Sequence, residues 1–189
     1  MMPIRSSHAK LEESQRLKKA DKIISVLKKW CDLKNAEVLD IGVGSGHITQ
    51  QIARNSLVTV GVNLQDERVV KDGYLFRLVK DETLPFDSEN FDVVISNHVI
   101  EHTAFQQKHL DEVLRVLKPG GILYLTTPNK YAFIEPHFNI PFLSWWPRKL
   151  VSTLMPKWDI YPLTRGAINK MAGENYECID FSLDVIKHP

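Results

Sequence analysis

The chain has 189 residues, of which 43% are hydrophobic and 25% charged. This size and composition predict one globular domain, residues 1–189, and exclude a disordered or fibrous protein. Because 24 Lys and Arg nearly balance 23 Asp and Glu, no strong field recruits nucleic acid or an anionic membrane surface.

The cysteines and the N-terminal segment indicate where the protein works. Cys31 and Cys178 form no CxxC pair, which is typical of packing residues in a reducing compartment. The N-terminus lacks the apolar core of a signal peptide, and no apolar run reaches the roughly 18 residues that a membrane span needs. We therefore expect a cytoplasmic protein without stable membrane insertion.

The apolar pattern predicts alternating helices and strands. Apolar residues recur at helical spacing from Leu17 to Trp30 and predict a leading amphipathic helix. Five β-rich runs follow, at 37–41, 57–62, 74–79, 91–96 and 122–126. Further helices are predicted at 103–117 and 164–171, and a last strand at 176–185. Strands that alternate with helices predict an α/β fold with a mostly parallel sheet.

The most informative motif is the sequence Val-Leu-Asp-Ile-Gly-Val-Gly-Ser-Gly-His at residues 38–47. A strand here leads through three alternating glycines into a helix. Glycines let the backbone turn sharply and let a ligand reach main-chain amides, so the motif predicts a nucleotide-like ligand. A dinucleotide loop reads Gly-x-Gly-x-x-Gly, with its third glycine one residue after Gly46, so the spacing argues against a nicotinamide oxidoreductase.

Four further motifs follow the glycine loop in order. They are Leu-Pro-Phe at 84–86 with Asn-Phe-Asp-Val-Val at 90–94, Asn-His-Val-Ile-Glu-His at 97–102, Arg-Val-Leu-Lys-Pro-Gly-Gly at 115–121, and Thr-Thr-Pro-Asn at 126–129. Over about 36–129 the chain resembles the class I S-adenosylmethionine-dependent methyltransferases. This resemblance implies a three-layer Rossmann-like fold, S-adenosylmethionine as cofactor, and methyl transfer to a small-molecule or soluble conjugate acceptor.

The resemblance also assigns cofactor-binding residues. They are Asp40, Gly42, Gly44, Gly46, Asn63, Asp81, Asn97 and His98. Two positions depart from the family pattern. Asn63 stands where an acid usually accepts the ribose hydroxyls, and an amide oxygen can still accept one of them. The acid that contacts adenine usually stands at the position of Lys80, so Asp81 is either a displaced equivalent or a solvated loop carboxylate.

Three residues are candidate catalytic groups: Glu101, His102 and His137. The resemblance places the first two near the substrate mouth, although an acid and a histidine there could equally serve the start of the next helix. His137 could act as a base or contact the substrate, but a lone histidine is more often a hydrogen-bonded structural residue. Residues 98–102 also match the zinc-peptidase pattern His-x-x-Glu-His. The motif follows a buried strand, however, and the sequence nearby offers no evident third ligand. We therefore expect no metal.

Prolines and aromatic residues interleave between Pro136 and Trp158. We interpret residues 130–163 as a lid over the acceptor pocket. The lid follows a helical cover at 1–35 and a cofactor-binding core at 36–129, and it precedes a C-terminal helix and strand at 164–189. Two alternatives stay open. The segment could anchor at a membrane interface, since Trp145 and Trp146 lie near Arg148, or it could merely complete the core.

The chain ends soon after its last predicted strand, whereas the family usually adds one more. We also consider a homodimer, and the edge strand is either missing from the sheet or supplied by a partner. Together with Asn63 and Asp81, this ending also suggests a different class of protein, a noncatalytic scaffold that binds S-adenosylmethionine.

The lid interpretation predicts that the substrate, and not the cofactor, depends on this segment. Trp145→Ala or His137→Ala should lower methyl transfer while the dissociation constant for S-adenosylmethionine stays within a few-fold, because the glycine loop lies on another part of the site. Steady-state kinetics and calorimetry on the same preparations measure both quantities. Equal losses of transfer and cofactor affinity would contradict the lid.

Overall fold

The computed structural model describes residues 4–128, 160–161, 163–177 and 179, with side chains from residue 12 onward. The chain divides into two units, 1–127 with 159–161 and 128–158 with 162–189. The first unit contains α1 (Ile4–Leu27), β1 (Glu37–Ile41), α2 (His47–Ala53), β2 (Val58–Asn63), β3 (Leu75–Leu78), β4 (Phe91–Asn97), α3 (Gln106–Val116) and β5 (Leu117–Thr126). Short 3₁₀ helices cover Leu33–Asn35 and Ile100–His102. The second unit contains α4 (Arg165–Ala172).

The five strands form one parallel sheet in the order β3-β2-β1-β4-β5. The chain therefore builds outward from β1 to β3 and then returns to place β4 on the other side of β1. At such a switch the loops that follow β1 and β4 leave in opposite directions, which opens a crevice at the carboxyl edge of the sheet. The motifs at residues 42–46 and 97–102 both begin at this edge.

Helices cover both faces of the sheet. Leu39 and Ile41 of β1 pack in one buried cluster with Val113 and Val116 of α3. Asp40 lies between Leu39 and Ile41 in the sequence and points to the other face of the sheet, where Thr49 of α2 donates a hydrogen bond to it. The three-layer Rossmann-like fold that the sequence predicts is therefore confirmed.

The five strands predicted between residues 37 and 126 are confirmed to within a residue or two, except at β5. This strand begins at Leu117, because the backbone of Lys-Pro-Gly-Gly pairs irregularly with β4 through a register shift between Phe91 and Val93. The helix expected to begin at Thr103 begins at Gln106, after a 3₁₀ turn. Trp30 lies beyond the end of α1 and is 56% exposed, so its inclusion in the helical stripe was wrong.

One partly buried set of hydrogen bonds explains two sequence motifs. The Arg115 guanidinium donates to the carbonyl oxygens of Leu84 and Phe86, and Glu112 accepts the amide of Leu84 at 2.8 Å. Residues 84–86 lack regular structure, so α3 satisfies their backbone groups instead. The Leu-Pro-Phe motif and the arginine of the later motif are thus one structural unit.

The second unit is described only in part. α4 begins after Thr164, whose side chain caps it by accepting the amide of Ala167 at 3.1 Å. Tyr176 and Glu177 lie outside any strand, which corrects the start of the strand predicted at 176–185. Residues 180–185 of that prediction and most of the proposed lid lie outside the described residues. In the described parts of the chain, no helix has the length and apolar character of a membrane span.

Candidate functional site

The glycine loop after β1 contains two kinds of glycine. Gly42, Gly44 and Gly46 have φ values of 82°, 52° and 87°, in the left-handed region. A Cβ on Gly42 would lie 2.5 Å from Cγ2 of Val99, and one on Gly46 would overlap the carbonyl oxygen of Val70. Among the described residues, a Cβ on Gly44 would meet only the carbonyl oxygen of Gly42, at 4.0 Å. The protein itself therefore requires glycine at 42 and 46, whereas Gly44 borders open space.

Neighbouring backbone fixes the shape of the loop. The amide of Gly42 donates to the carbonyl of Val62 at 2.9 Å, and the carbonyl of Ser45 accepts the amides of Val69 and Val70. The hydroxyl of Tyr74 donates to the carbonyl of Val70 at 2.6 Å. Sequence reasoning missed Val70 and Tyr74, since no local pattern marks a loop residue that packs against a distant glycine.

Asp40 is buried behind the loop. Its side chain is 4% exposed, and Oδ2 accepts a hydrogen bond of 2.5 Å from Oγ1 of Thr49. Burial raises the pKa of Asp40 to about 7, against an opposing effect of the bond from Thr49. Thr49 was also missed, although a polar residue three positions before the buried Ile52 on a short helix is a usable signal.

Two asparagines end strands beside the loop. The register pairs Ile41 with Val62, which places Asn63 level with Gly42 at the carboxyl edge. Asn97 ends β4, and its Oδ1 accepts a hydrogen bond of 2.8 Å from Oγ1 of Thr126 at the end of β5. The structure thus brings the predicted cofactor residues of the first, second and fourth strands to one edge.

Asp81 has partners in its own loop and on α3. Its exposed carboxylate accepts the amide of Thr83 at 2.7 Å and lies 3.4 Å from Nζ of Lys108. The hydrogen bonds from Thr83 contribute most to lowering the pKa of Asp81, and Lys108 adds to the effect. These contacts favour the solvated-loop interpretation, and a contact with adenine stays a prediction.

Glu101 and His98 form a pair just beyond β4. Oε1 of Glu101 lies 2.9 Å from Nδ1 of His98, and the Glu101 side chain is completely buried. Burial by itself raises the pKa of Glu101, but the hydrogen bond with His98 and the nearby His102 hold it below its ordinary value. The carbonyl of Glu101 accepts the amide of Tyr161 at 2.7 Å. His102 is exposed, and His137 lies outside the described residues.

Within 4–128 and the described parts of the C-terminal segment, no three His, Cys, Asp or Glu residues are placed to hold a metal ion. His98 and Glu101 pair with each other, and their ring-to-carboxylate hydrogen bond is of the ordinary length. The zinc interpretation of residues 98–102 gains no support from this geometry.

Comparison with known proteins identifies the class of this fold and site. Residues 39–125 match the family described as a methyltransferase domain. This match covers 87 of the 189 residues, and for this segment it bears out the class I S-adenosylmethionine-dependent methyltransferase domain that the motifs predicted. Gly44 fits the cofactor that this family uses, since open space at a left-handed glycine lets a ligand reach the backbone.

Individual relatives cover only part of the chain. The mitochondrial ubiquinone biosynthesis O-methyltransferase of Homo sapiens is 30% identical over 52% of this chain and 30% of its own length. The ubiquinone biosynthesis O-methyltransferase of Rhizobium etli (strain CIAT 652) is 29% identical over 61% of this chain and 52% of its own length. The chain thus spans about a third to a half of these relatives.

A solved structure supports the fold. A Galdieria sulphuraria protein assigned as a sarcosine dimethylglycine methyltransferase has a TM-score of 0.62 and 17% identity, over 82% of this chain and 60% of its own. This likeness concerns the fold alone. The individual site residues stay predictions.

The buried Asp40 predicts a pH-dependent stability. Its pKa is about 7 in the folded chain against an ordinary 3.8, so folding favours the protonated form. Its stabilising contribution is complete below the ordinary value and is lost as the pH rises through about 7. Between these values the free energy of unfolding should fall by up to about 1.4 kcal/mol per pH unit because of this group.

Urea unfolding at several pH values checks this expectation. Asp40→Asn should remove the slope, while Asp87→Asn, the same exchange at an exposed position, should retain it. Equal slopes in wild type and Asp40→Asn would show that Asp40 is ionised in the folded chain.

Gly44 and Gly120 offer a matched pair for testing the loop. Both have positive φ, 52° and 74°, and in neither case would a Cβ meet an atom closer than 4.0 Å. Alanine at either position should cost about 1 kcal/mol of stability through backbone strain. Only Gly44→Ala should also weaken S-adenosylmethionine binding, by about tenfold or more, because its methyl group occupies the approach of the ligand. Thermal unfolding and calorimetry separate the two effects, and unchanged affinity in Gly44→Ala would refute the role of the loop.

Proposed function

We propose that this protein catalyses methyl transfer from S-adenosylmethionine to a small-molecule or soluble conjugate acceptor. The observation that carries the proposal is the space that the described residues leave open at Gly44, in the loop after β1, the strand that lies between β2 and β4. Bound S-adenosylmethionine supplies a methyl group on a positively charged sulfur, so the chain need not create an electrophile. Positioning of the acceptor then accounts for most of the rate enhancement.

The chain would hold the cofactor at three strand ends. The backbone at Gly44 would meet the ligand, with Gly42 and Gly46 shaping the loop and Asp40 supporting it from below. Asn63 would accept one ribose hydroxyl, and Asn97 and His98 would lie beside the methionine end. Asp81 is the proposed contact for adenine. Glu101, His102 and His137 stay candidates near the acceptor.

The acceptor is proposed by analogy with relatives. The relatives from Homo sapiens and Rhizobium etli are named as O-methyltransferases of ubiquinone biosynthesis, which favours a small molecule with a hydroxyl group as the acceptor. The near balance of charge gives no support to a nucleic-acid substrate. A cytoplasmic location and a homodimer are part of the same proposal.

A noncatalytic scaffold is the second candidate. Two observations favour it, the amide at Asn63 and the hydrogen bonds of Asp81 with Thr83 and Lys108.

Calorimetry with S-adenosylmethionine, S-adenosylhomocysteine and NAD separates the alternatives. We expect both adenosyl ligands to bind and NAD not to bind. Tight binding of S-adenosylhomocysteine, with no turnover of labelled S-adenosylmethionine in any cell extract, would favour the scaffold.

Asn63 provides a direct test of ribose recognition. Asn63→Asp should tighten S-adenosylmethionine binding, because a carboxylate accepts stronger, charge-assisted hydrogen bonds from both hydroxyls than an amide does. We expect a gain of about tenfold in calorimetry. Asn90→Asp makes the same exchange at the amino end of β4 and should leave the affinity unchanged. Weaker binding by Asn63→Asp would mean that Asn63 serves another ligand geometry.

A further inference from the structure

His98 and Glu101 form a pair that is more buried than a contact between two surface side chains. Nδ1 of His98 meets Oε1 of Glu101 at 2.9 Å, and the carboxylate is completely buried whereas the imidazole is 39% exposed. The second carboxylate oxygen, Oε2, is buried without a hydrogen-bond partner among the described residues. A buried carboxylate is costly unless it is paired, so the imidazole is its main compensation.

This pairing determines which ring nitrogen carries the proton. An ionised carboxylate can only accept hydrogen bonds, so the nitrogen that faces it must be the donor. The lowered pKa of Glu101 keeps the carboxylate ionised near neutral pH. In a neutral imidazole the other nitrogen, Nε2, then carries the lone pair. The exposed ring is thereby prepared to accept a proton.

The backbone is strained to hold the ring there. His98 has a φ of 58°, in the left-handed region that residues other than glycine rarely adopt. Its amide donates to the carbonyl of Thr126 at 3.0 Å, which fixes the turn to β5. A strained residue that the surrounding hydrogen bonds hold in place often marks a functional position.

The pair also lies at the crevice. Val99 follows His98 directly, and its side chain fills the space against which Gly42 must be a glycine. His98 is therefore the residue just before the contact through which the end of β4 packs against the glycine loop. This is the switch point of the sheet, where a ligand binds in this class of fold.

We infer that His98 is the general base for an acceptor hydroxyl and that Glu101 is the positioning residue that orients it. The inference rests on the proposed function. The acceptor O–H bond breaks and its proton goes to Nε2 of His98. The oxygen electron pair forms the bond to the methyl carbon, while the carbon–sulfur pair returns to sulfur and leaves a neutral thioether. The imidazolium is stabilised by Glu101 and later releases its proton to water.

Other charged groups interact with the carboxylate of this pair. Lys19 of α1 and His109 of α3 both interact electrostatically with Glu101, as does His102. Glu82, whose carboxylate accepts a hydrogen bond from Thr103, lies near His109. The test must therefore compare single variants in one background.

The first experiment needs neither cofactor nor acceptor. Nuclear magnetic resonance of ¹⁵N-histidine-labelled full chain should show His98 protonated at Nδ1 and unprotonated at Nε2 near pH 7.5. His98→Asn identifies the signal, and asparagine tolerates positive φ, so this variant should stay folded. In Glu101→Gln the preference for a proton on Nδ1 should weaken, because an amide can donate as well as accept, whereas Glu89→Gln, at the amino end of β4, should retain it. A neutral ring protonated at Nε2, or an unchanged tautomer preference in Glu101→Gln, would overturn the pairing.

The second experiment measures transfer from labelled S-adenosylmethionine to catechol, used as a hydroxyl probe. His98→Asn should lower kcat, measured at saturating S-adenosylmethionine, by about 10²- to 10⁴-fold. Glu101→Gln should lower kcat less than His98→Asn does and should change the pH profile of kcat, whereas a merely structural role would leave this profile unchanged. Wild-type kcat and profile in His98→Asn would overturn the base assignment.

The wild-type chain distinguishes the remaining outcomes. Wild-type chain that binds S-adenosylmethionine but does not methylate catechol would overturn the hydroxyl assignment. Wild-type chain that binds no S-adenosylmethionine would instead count against the proposed function, while the tautomer measurement would still decide the pairing.

Discussion

The reversal of strand order between β1 and β4 is the constraint on which the candidate site depends. Because β2 and β3 lie on one side of β1 and β4 and β5 on the other, the loops after the two central strands separate. That separation opens a crevice at the carboxyl edge of the sheet, with Asn63 and Asn97 at its strand ends. Without the reversal, the glycine loop and the turn at His98 would not face a common space.

The three glycines of the loop show how one motif can combine two physical requirements. Gly42 and Gly46 are required by neighbouring atoms of the chain itself, which leave no room for a Cβ. The described residues leave room for a side chain at Gly44, so its positive φ, and not packing, explains why it is a glycine. Sequence spacing presents the three positions as equivalent, and only the packing separates the structural pair from the one that borders open space.

Local patterns predicted most of the fold and part of the site. The central strands were predictable because continuous apolar runs between glycine-rich turns favour buried parallel strands. The start of α3 was not, since the 3₁₀ turn at Ile100–His102 uses the same residue types as a helix. The support of the loop by Val70 and Tyr74, and the bond from Tyr161 to Glu101, join residues far apart in sequence. Such contacts leave no local signal, so no reading of spacing alone could place them.

The two buried carboxylates of this edge differ in what surrounds them. Among the described residues Asp40 has a hydroxyl partner and no partner of opposite charge, so burial dominates and raises its pKa to about 7. Glu101 is also buried, yet the imidazole of His98 reverses the balance and favours the ionised form. Environments that separate the pKa values of neighbouring acids commonly assign them different roles. Asp40 is thereby suited to support the glycine loop, whereas Glu101 keeps a negative charge that can stabilise a histidine as it gains a proton.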